Sequence, residues 1–247
     1  MKRIAAALFA LATAAQAEEA SVLPCRPTIA CTANIEAAGL LTLEAGYLLR
    51  KLDNGVTQHS MPFLFKLSFN DWLQGQLGSN GPTFANGNRS ARFHDDLTAG
   101  VKARLLERDS TAISISATLS APLPAQAGYL RTWDALFVGY FSQKLPLGLS
   151  ADLNLGLDLW RIEGSALAQP WAALALNHEL PAGFTCMAEV YGFAGAQPVS
   201  PRDAGVLLAL SYSVASWLVL DAGADLGLVS ERSLSVFAGL TLSPARL

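Results

Sequence analysis

The chain has 247 residues, of which 51% are hydrophobic and only 15% charged, whereas a soluble domain carries about 25% charged residues. A formal charge of −3 offers no basic field of the kind nucleic-acid binding needs, which excludes nucleic acid as a partner. No apolar run reaches the roughly 20 residues that a membrane-spanning helix requires, so the hydrophobic excess is interspersed with small and polar residues, as in a β-barrel with one face to lipid and the other to its lumen.

In chain order, Lys2 and Arg3 form a basic n-region, residues 4–14 an apolar stretch and Ala15-Gln16-Ala17 an A-x-A site, which predicts a signal peptide over 1–17 cleaved after Ala17. Residues 18–37 then read as a periplasmic N-terminal segment ahead of a barrel over 38–247. Within that segment Cys25 and Cys31 bracket the stretch CRPTIAC. An oxidising compartment favours a disulfide between them. A metal site is the rival, but two thiolates without nearby histidines are too few ligands, so neither metal nor cofactor is expected. Pro24 before Cys25 argues against a lipid anchor, and Cys186 reads as a small apolar wall residue.

A tilted transmembrane strand needs about 9–11 residues of period-2 alternation. Strands are predicted at 40–50, at 61–69, where Met61, Phe63, Phe65, Leu67 and Phe69 form an outward row, and at 72–78. In 96–107, Val101, Ala103 and Leu105 oppose Lys102 and Arg104, and in the next strand Ile113, Ile115, Ala117 and Leu119 oppose Ser114, Ser116, Thr118 and Ser120. After a less regular strand at 131–143 comes the clearest pattern, 149–160, where Leu149, Ala151, Leu153, Leu155, Leu157 and Leu159 oppose Ser150, Asp152, Asn154, Gly156, Asp158 and Trp160. Strands at 170–179, 184–194, 205–214, 218–228 and 233–242 bring the total to twelve, an even number as single-chain bacterial barrels have. Short links near 70–71, 107–110, 145–148, 181–183 and 215–216 alternate with longer ones at 51–59, 79–94, 121–131, 161–169 and 195–203, followed by a brief 230–232. Periplasmic turns and outer loops alternate this way, which puts both termini in the periplasm. Trp72 and Trp217 adjoin short turns, and Trp133, Trp160 and Trp171 adjoin long loops, predicting two aromatic girdles.

No motif carries chemistry: P-loop, H-E-x-x-H, C-x-x-C, G-x-S-x-G and dinucleotide fingerprints are all missing. His59, His94 and His178 have no partner and nucleophile at one wall height, so a hydrolase is not the reading and the protein is not expected to be an enzyme. The inward charges are more informative. Lys66, Lys102 and Arg104 fall on strands two and four, while Asp152, Asp158, Glu179, Glu189, Asp221 and Asp225 fall on strands seven to eleven, extended by Glu44 on strand one, with Asp96 the exception. These ten inward positions would either line a polar pore with a transverse field or pair across a narrow lumen. Their acidic excess favours the open pore.

Leu43-Glu44-Ala45-Gly46-Tyr47, Asp96-Leu97-Thr98-Ala99-Gly100-Val101-Lys102-Ala103-Arg104, Ala188-Glu189-Val190-Tyr191-Gly192 and Ser235-Val236-Phe237-Ala238-Gly239-Leu240-Thr241 resemble the outer-membrane transporter family of the meta-cleavage (MetA) pathway of phenol degradation. The resemblance implies a porin-like passive channel for aromatic or other small organic compounds. One departure stands out, because outer-membrane barrels usually end on an aromatic residue read by the barrel assembly machinery. This chain continues past its last predicted strand to Ser243-Pro244-Ala245-Arg246-Leu247. The expectation is therefore an all-β, antiparallel transmembrane barrel in the bacterial outer membrane, with membrane lipid and the assembly machinery as partners, passing a small solute. The alternative is a non-conducting structural or surface-interaction barrel.

Overall fold

A computed structural model describes residues 22–52, 55–85, 92–93, 97–121, 134–162, 165–196, 202–229 and 233–246. The segment expected to be a signal peptide, His94, Asp96 and Trp133 lie outside the described residues. The twelve strands are β1 (Leu40–Leu52), β2 (Thr57–Ser60, resuming as Phe63–Ser68), β3 (Leu73–Ser79, resuming as Pro82–Ala85), β4 (Arg92–Phe93 and Leu97–Arg108), β5 (Thr111–Ala121) and β6 (Asp134–Lys144), followed by β7 (Leu149–Ile162), β8 (Ser165–Glu179), β9 (Phe184–Phe193), β10 (Asp203–Ala215), β11 (Leu218–Gly227) and β12 (Ser233–Arg246). Each pairs antiparallel with its sequence neighbours, and β12 returns to β1, from Leu52↔Ser233 to Leu40↔Arg246, closing the sheet. Closure removes the free edges that an open sheet would expose to lipid.

The polarity is inverted relative to a soluble protein. Lys66, Gln169, Glu36, Glu44 and Asn154 are among the largest fully buried side chains, while Leu, Phe and Val predominate among the exposed large hydrophobics. Along β7, Leu155 is 58% exposed and its neighbour Asn154 only 1%. An apolar exterior around a polar interior is the arrangement a bilayer requires of a barrel.

The wall creases where β2 and β3 are interrupted together. Pro62 has no N–H to give a ladder, and opposite it Gly81 adopts a left-handed φ of 70° with no room for a Cβ against the Met61 carbonyl. Two expected boundaries move. The loop predicted at 161–169 is mostly β8, which begins at Ser165 and pairs with β7 through Ile162↔Ser165. β12 extends to Arg246 because a bulge at Leu41/Leu43 of β1 resets the register and keeps the pairing going. Of the tryptophans, Trp72 and Trp217 are exposed at the turn end of the wall. Trp160 and Trp171, expected in the opposite girdle, point inward instead, Trp160 donating to Gln169 Oε1 at 3.3 Å and Trp171 stacking near Phe193. Strand parity decides this, since Trp171 shares its face with buried Gln169 and Ala173.

Ahead of β1, residues 22–39 fold back into the barrel. The segment expected as a periplasmic extension is, from Val22 onward, an occupant of the lumen, with Val22, Ala30, Ala33, Ile35 and Glu36 all buried.

Candidate functional site: the occupied lumen

The inserted segment enters beside the β10–β11 turn, where Val22 N donates to Ser216 O at 3.0 Å, and then circles the inner wall. Irregular backbone at membrane depth must find partners for its own N–H and C=O groups, and the inward charges of the strands supply them. Glu44 accepts from Cys25 N at 2.9 Å and Arg26 N at 3.0 Å. Glu189 accepts from Ile29 N at 3.0 Å and Ala30 N at 2.6 Å. With its amide turned to suit, Asn154 binds both the N–H and the carbonyl of Cys31 at 2.8 and 2.9 Å. Ala33 N donates to Ser142 Oγ at 2.6 Å, while Ser114 Oγ donates to the Ala33 carbonyl. Cys25 and Cys31 are paired as a disulfide, Cα atoms 4.6 Å apart, tying this part of the segment into a small loop.

Cations are handled on the same principle. Lys66, 2% exposed, lies 3.0 Å from Glu36 of the segment and 2.7 Å from Glu44 of β1, and donates to the Leu23 carbonyl at 2.6 Å. Lys102 donates to the carbonyls of Thr32 and Asn34 and sits 4.3 Å over the Tyr140 ring, a cation–π contact. Arg26 reaches across the β1–β12 seam to β11, where its Nη2 lies 3.2 Å from Asp221 Oδ1. The guanidinium occupies a notch made by Gly46 and Gly239, register partners across the β1–β12 seam. A Cβ on either glycine would collide with it.

The ten inward positions thus divide by depth. Glu44, Lys66, Lys102, Glu189 and Asp221 bind the segment, and Asp152 supports it through Ser142, with Asn177 donating to Asp152 at 2.8 Å. Arg104 pairs with Glu107 at 2.6 Å toward the turn end, and Glu179 is exposed at that rim. Asp158 and Asp225 face open space on the other side. Two cavities result, about 700 Å³ toward the long-loop end and about 720 Å³ toward the short turns, and residues of the segment, Arg26 and Thr28 among them, line both. The transverse field expected from the sequence is therefore largely quenched at mid-depth by ion pairs and backbone dipoles of the chain itself.

No family model and no curated protein matches the chain. Among solved structures it is similar to an outer-membrane channel from Pseudomonas putida F1, with a TM-score of 0.67 at 12% identity over 90% of this chain and 99% of that one. The NanC porin follows at 0.58 and 9% over 82% and 99%, and the CymD monoaromatic hydrocarbon channel at 0.52 and 10% over 83% and 89%. The fold is that of an outer-membrane β-barrel. At such identities the likeness shows the fold and nothing finer.

Several participants escaped the sequence reading: Arg26 and Glu36 of the segment, Asn154, Ser114 and Ser142 as its backbone partners, and the Gly46/Gly239 notch. A readable trace existed only for the notch, because both glycines lie in otherwise regular strands, where a missing side chain marks a close approach. His59 meets the Tyr47 hydroxyl on the exposed side of the wall, and His178 shares the outward face of Leu174 and Leu176. Among the described residues no group of three or more His, Cys, Asp or Glu is arranged to hold a metal ion.

Proposed function

We propose that this protein is an outer-membrane channel for small solutes whose lumen is constricted at mid-depth by its own residues 22–36. The observation that carries this reading is the pair of cavities of about 700 and 720 Å³ on the two sides of the segment, which give a solute somewhere to enter from either end. Rings of charge and polar groups are the usual means by which a pore selects, and here they are concentrated at the constriction. Membrane lipid outside, the assembly machinery during biogenesis and passive passage inside complete the proposal. The apolar walls of the larger-loop cavity, including Leu136, Phe193 and Phe237, suit small organic compounds. That agrees with the small organic compounds that the family resemblance implies.

The second reading, a non-conducting structural barrel, is favoured by the density of bonds holding the segment. Planar-bilayer recordings separate the two. Discrete conductance steps from intact protein, enlarged on removing residues 22–36, are the expected result. Silence from both forms, each shown to be folded by heat-modifiable mobility, would leave the structural barrel standing.

A further inference from the structure

The cavity at the long-loop end carries an asymmetry that passive conduction does not use. Its cations are already engaged: Arg26 is held by Asp221, and Arg50 donates to Ser235 Oγ at 3.4 Å beside Asp225. Asp158, on β7, is different. It accepts a hydrogen bond from the Trp171 side chain and faces Asp134 of β6, its diagonal neighbour on the same face, because Leu136 is the residue paired with Asp158. Among the described residues Asp158 makes no ion pair.

Beside this carboxylate runs a row of aromatic rings. Trp171 and Phe193 have centroids 5.5 Å apart, and Phe193 and Tyr191 5.9 Å, while Trp160, Phe193 and Tyr191 line the cavity itself. The floor is the inserted segment, to which Pro27 and Ile29 contribute. A cavity of about 700 Å³ is within the roughly 300–1,000 Å³ range of small-ligand sites.

We infer that this vestibule binds a small organic cation, an ammonium group on an aromatic or aliphatic body, with Asp158 as its charge partner and the adjoining rings as its walls. The chemistry excludes the alternatives by sign and by hydration. An anion would be repelled by Asp158. A neutral hydrocarbon would desolvate Asp158 with nothing in return. A strongly hydrated inorganic cation would gain nothing from aromatic faces, whereas a poorly hydrated ammonium is attracted to them. The inference deepens the channel reading and rests on the vestibule being a solute path.

The experiment titrates full-length refolded protein in detergent with benzyltrimethylammonium, benzoate and benzyl alcohol, following intrinsic tryptophan fluorescence. Saturable quenching by the ammonium, far weaker with the other two, is the expected result. Asp158→Asn should weaken it about tenfold and Asp158→Glu should retain it, with heat-modifiable mobility confirming that both variants are folded. Equal binding of benzyl alcohol, or unchanged binding by folded Asp158→Asn, overturns the inference. Binding that persists in a protein silent in planar bilayers would support the site and sink the channel instead; conduction without ammonium binding would sink the site alone.

Discussion

Lys66 sits between two carboxylates, Glu36 at 3.0 Å and Glu44 at 2.7 Å, with all three side chains buried. Removing one member of such a group strands the others in low dielectric, at about 3–5 kcal/mol, so Lys66→Met should lower barrel stability by that order in urea unfolding from lipid vesicles. Restoring neutrality with Glu36→Gln and Glu44→Gln in the same chain should recover part of the loss. A single-variant effect below about 1 kcal/mol would mean that water reaches the cluster and screens it. The Arg104–Glu107 pair is the internal contrast, since Glu107 is 53% exposed on its side chain. Its removal should cost no more than about 1 kcal/mol. Cysteine labelling probes the same region by chemistry: a maleimide applied to unreduced, unfolded protein should modify Cys186 alone, and two further labelled sites would rule out the Cys25–Cys31 pairing.

Along an element, the alternation of β7 makes a directional prediction. Leu155, midway along the strand and 58% exposed, faces hydrocarbon, so Leu155→Arg should cost about 2–4 kcal/mol. Leu136→Arg faces the cavity and should refold with a markedly smaller loss; equal losses in a lipid-refolding titration would show the two faces to be misassigned. Asn154 is not the harmless inward control that alternation alone suggests, because its amide is spent on the Cys31 backbone. This contrast marks what a sequence can disclose. Lipid and lumen impose opposite chemistry at every second residue, so strand faces and strand number were legible in β5, β7 and β11. Residues 165–169, Ser-Ala-Leu-Ala-Gln, carry little apolar contrast and read as loop although they pair fully. Trp171 looked like a girdle residue from its place near a loop, yet parity puts it inside against Gly156. The inserted segment has no period at all, and its partners lie as far as 195 residues away, so nothing local announced where it goes.

At the scale of the molecule, one chain supplies both the cylinder and what fills it. The β1–β12 seam joins the segments most distant in sequence, Leu40 to Arg246, and long loops are the slowest to close because chain entropy is lost before contacts compensate. Arg26 spans that seam, seated over Gly46 of β1 and Gly239 of β12 and bonded to Asp221 of β11. The geometry predicts that a guanidinium gripping both sides of the junction brings the last hairpin to the first strand before the ladder between them forms. Residues 22–36 are then a jig as well as a constriction, and Arg26→Ala should slow refolding into lipid vesicles by more than it speeds unfolding. Stopped-flow tryptophan fluorescence in both directions measures that ratio, and a change confined to the unfolding limb would show that the arginine arrives only after the cylinder has shut.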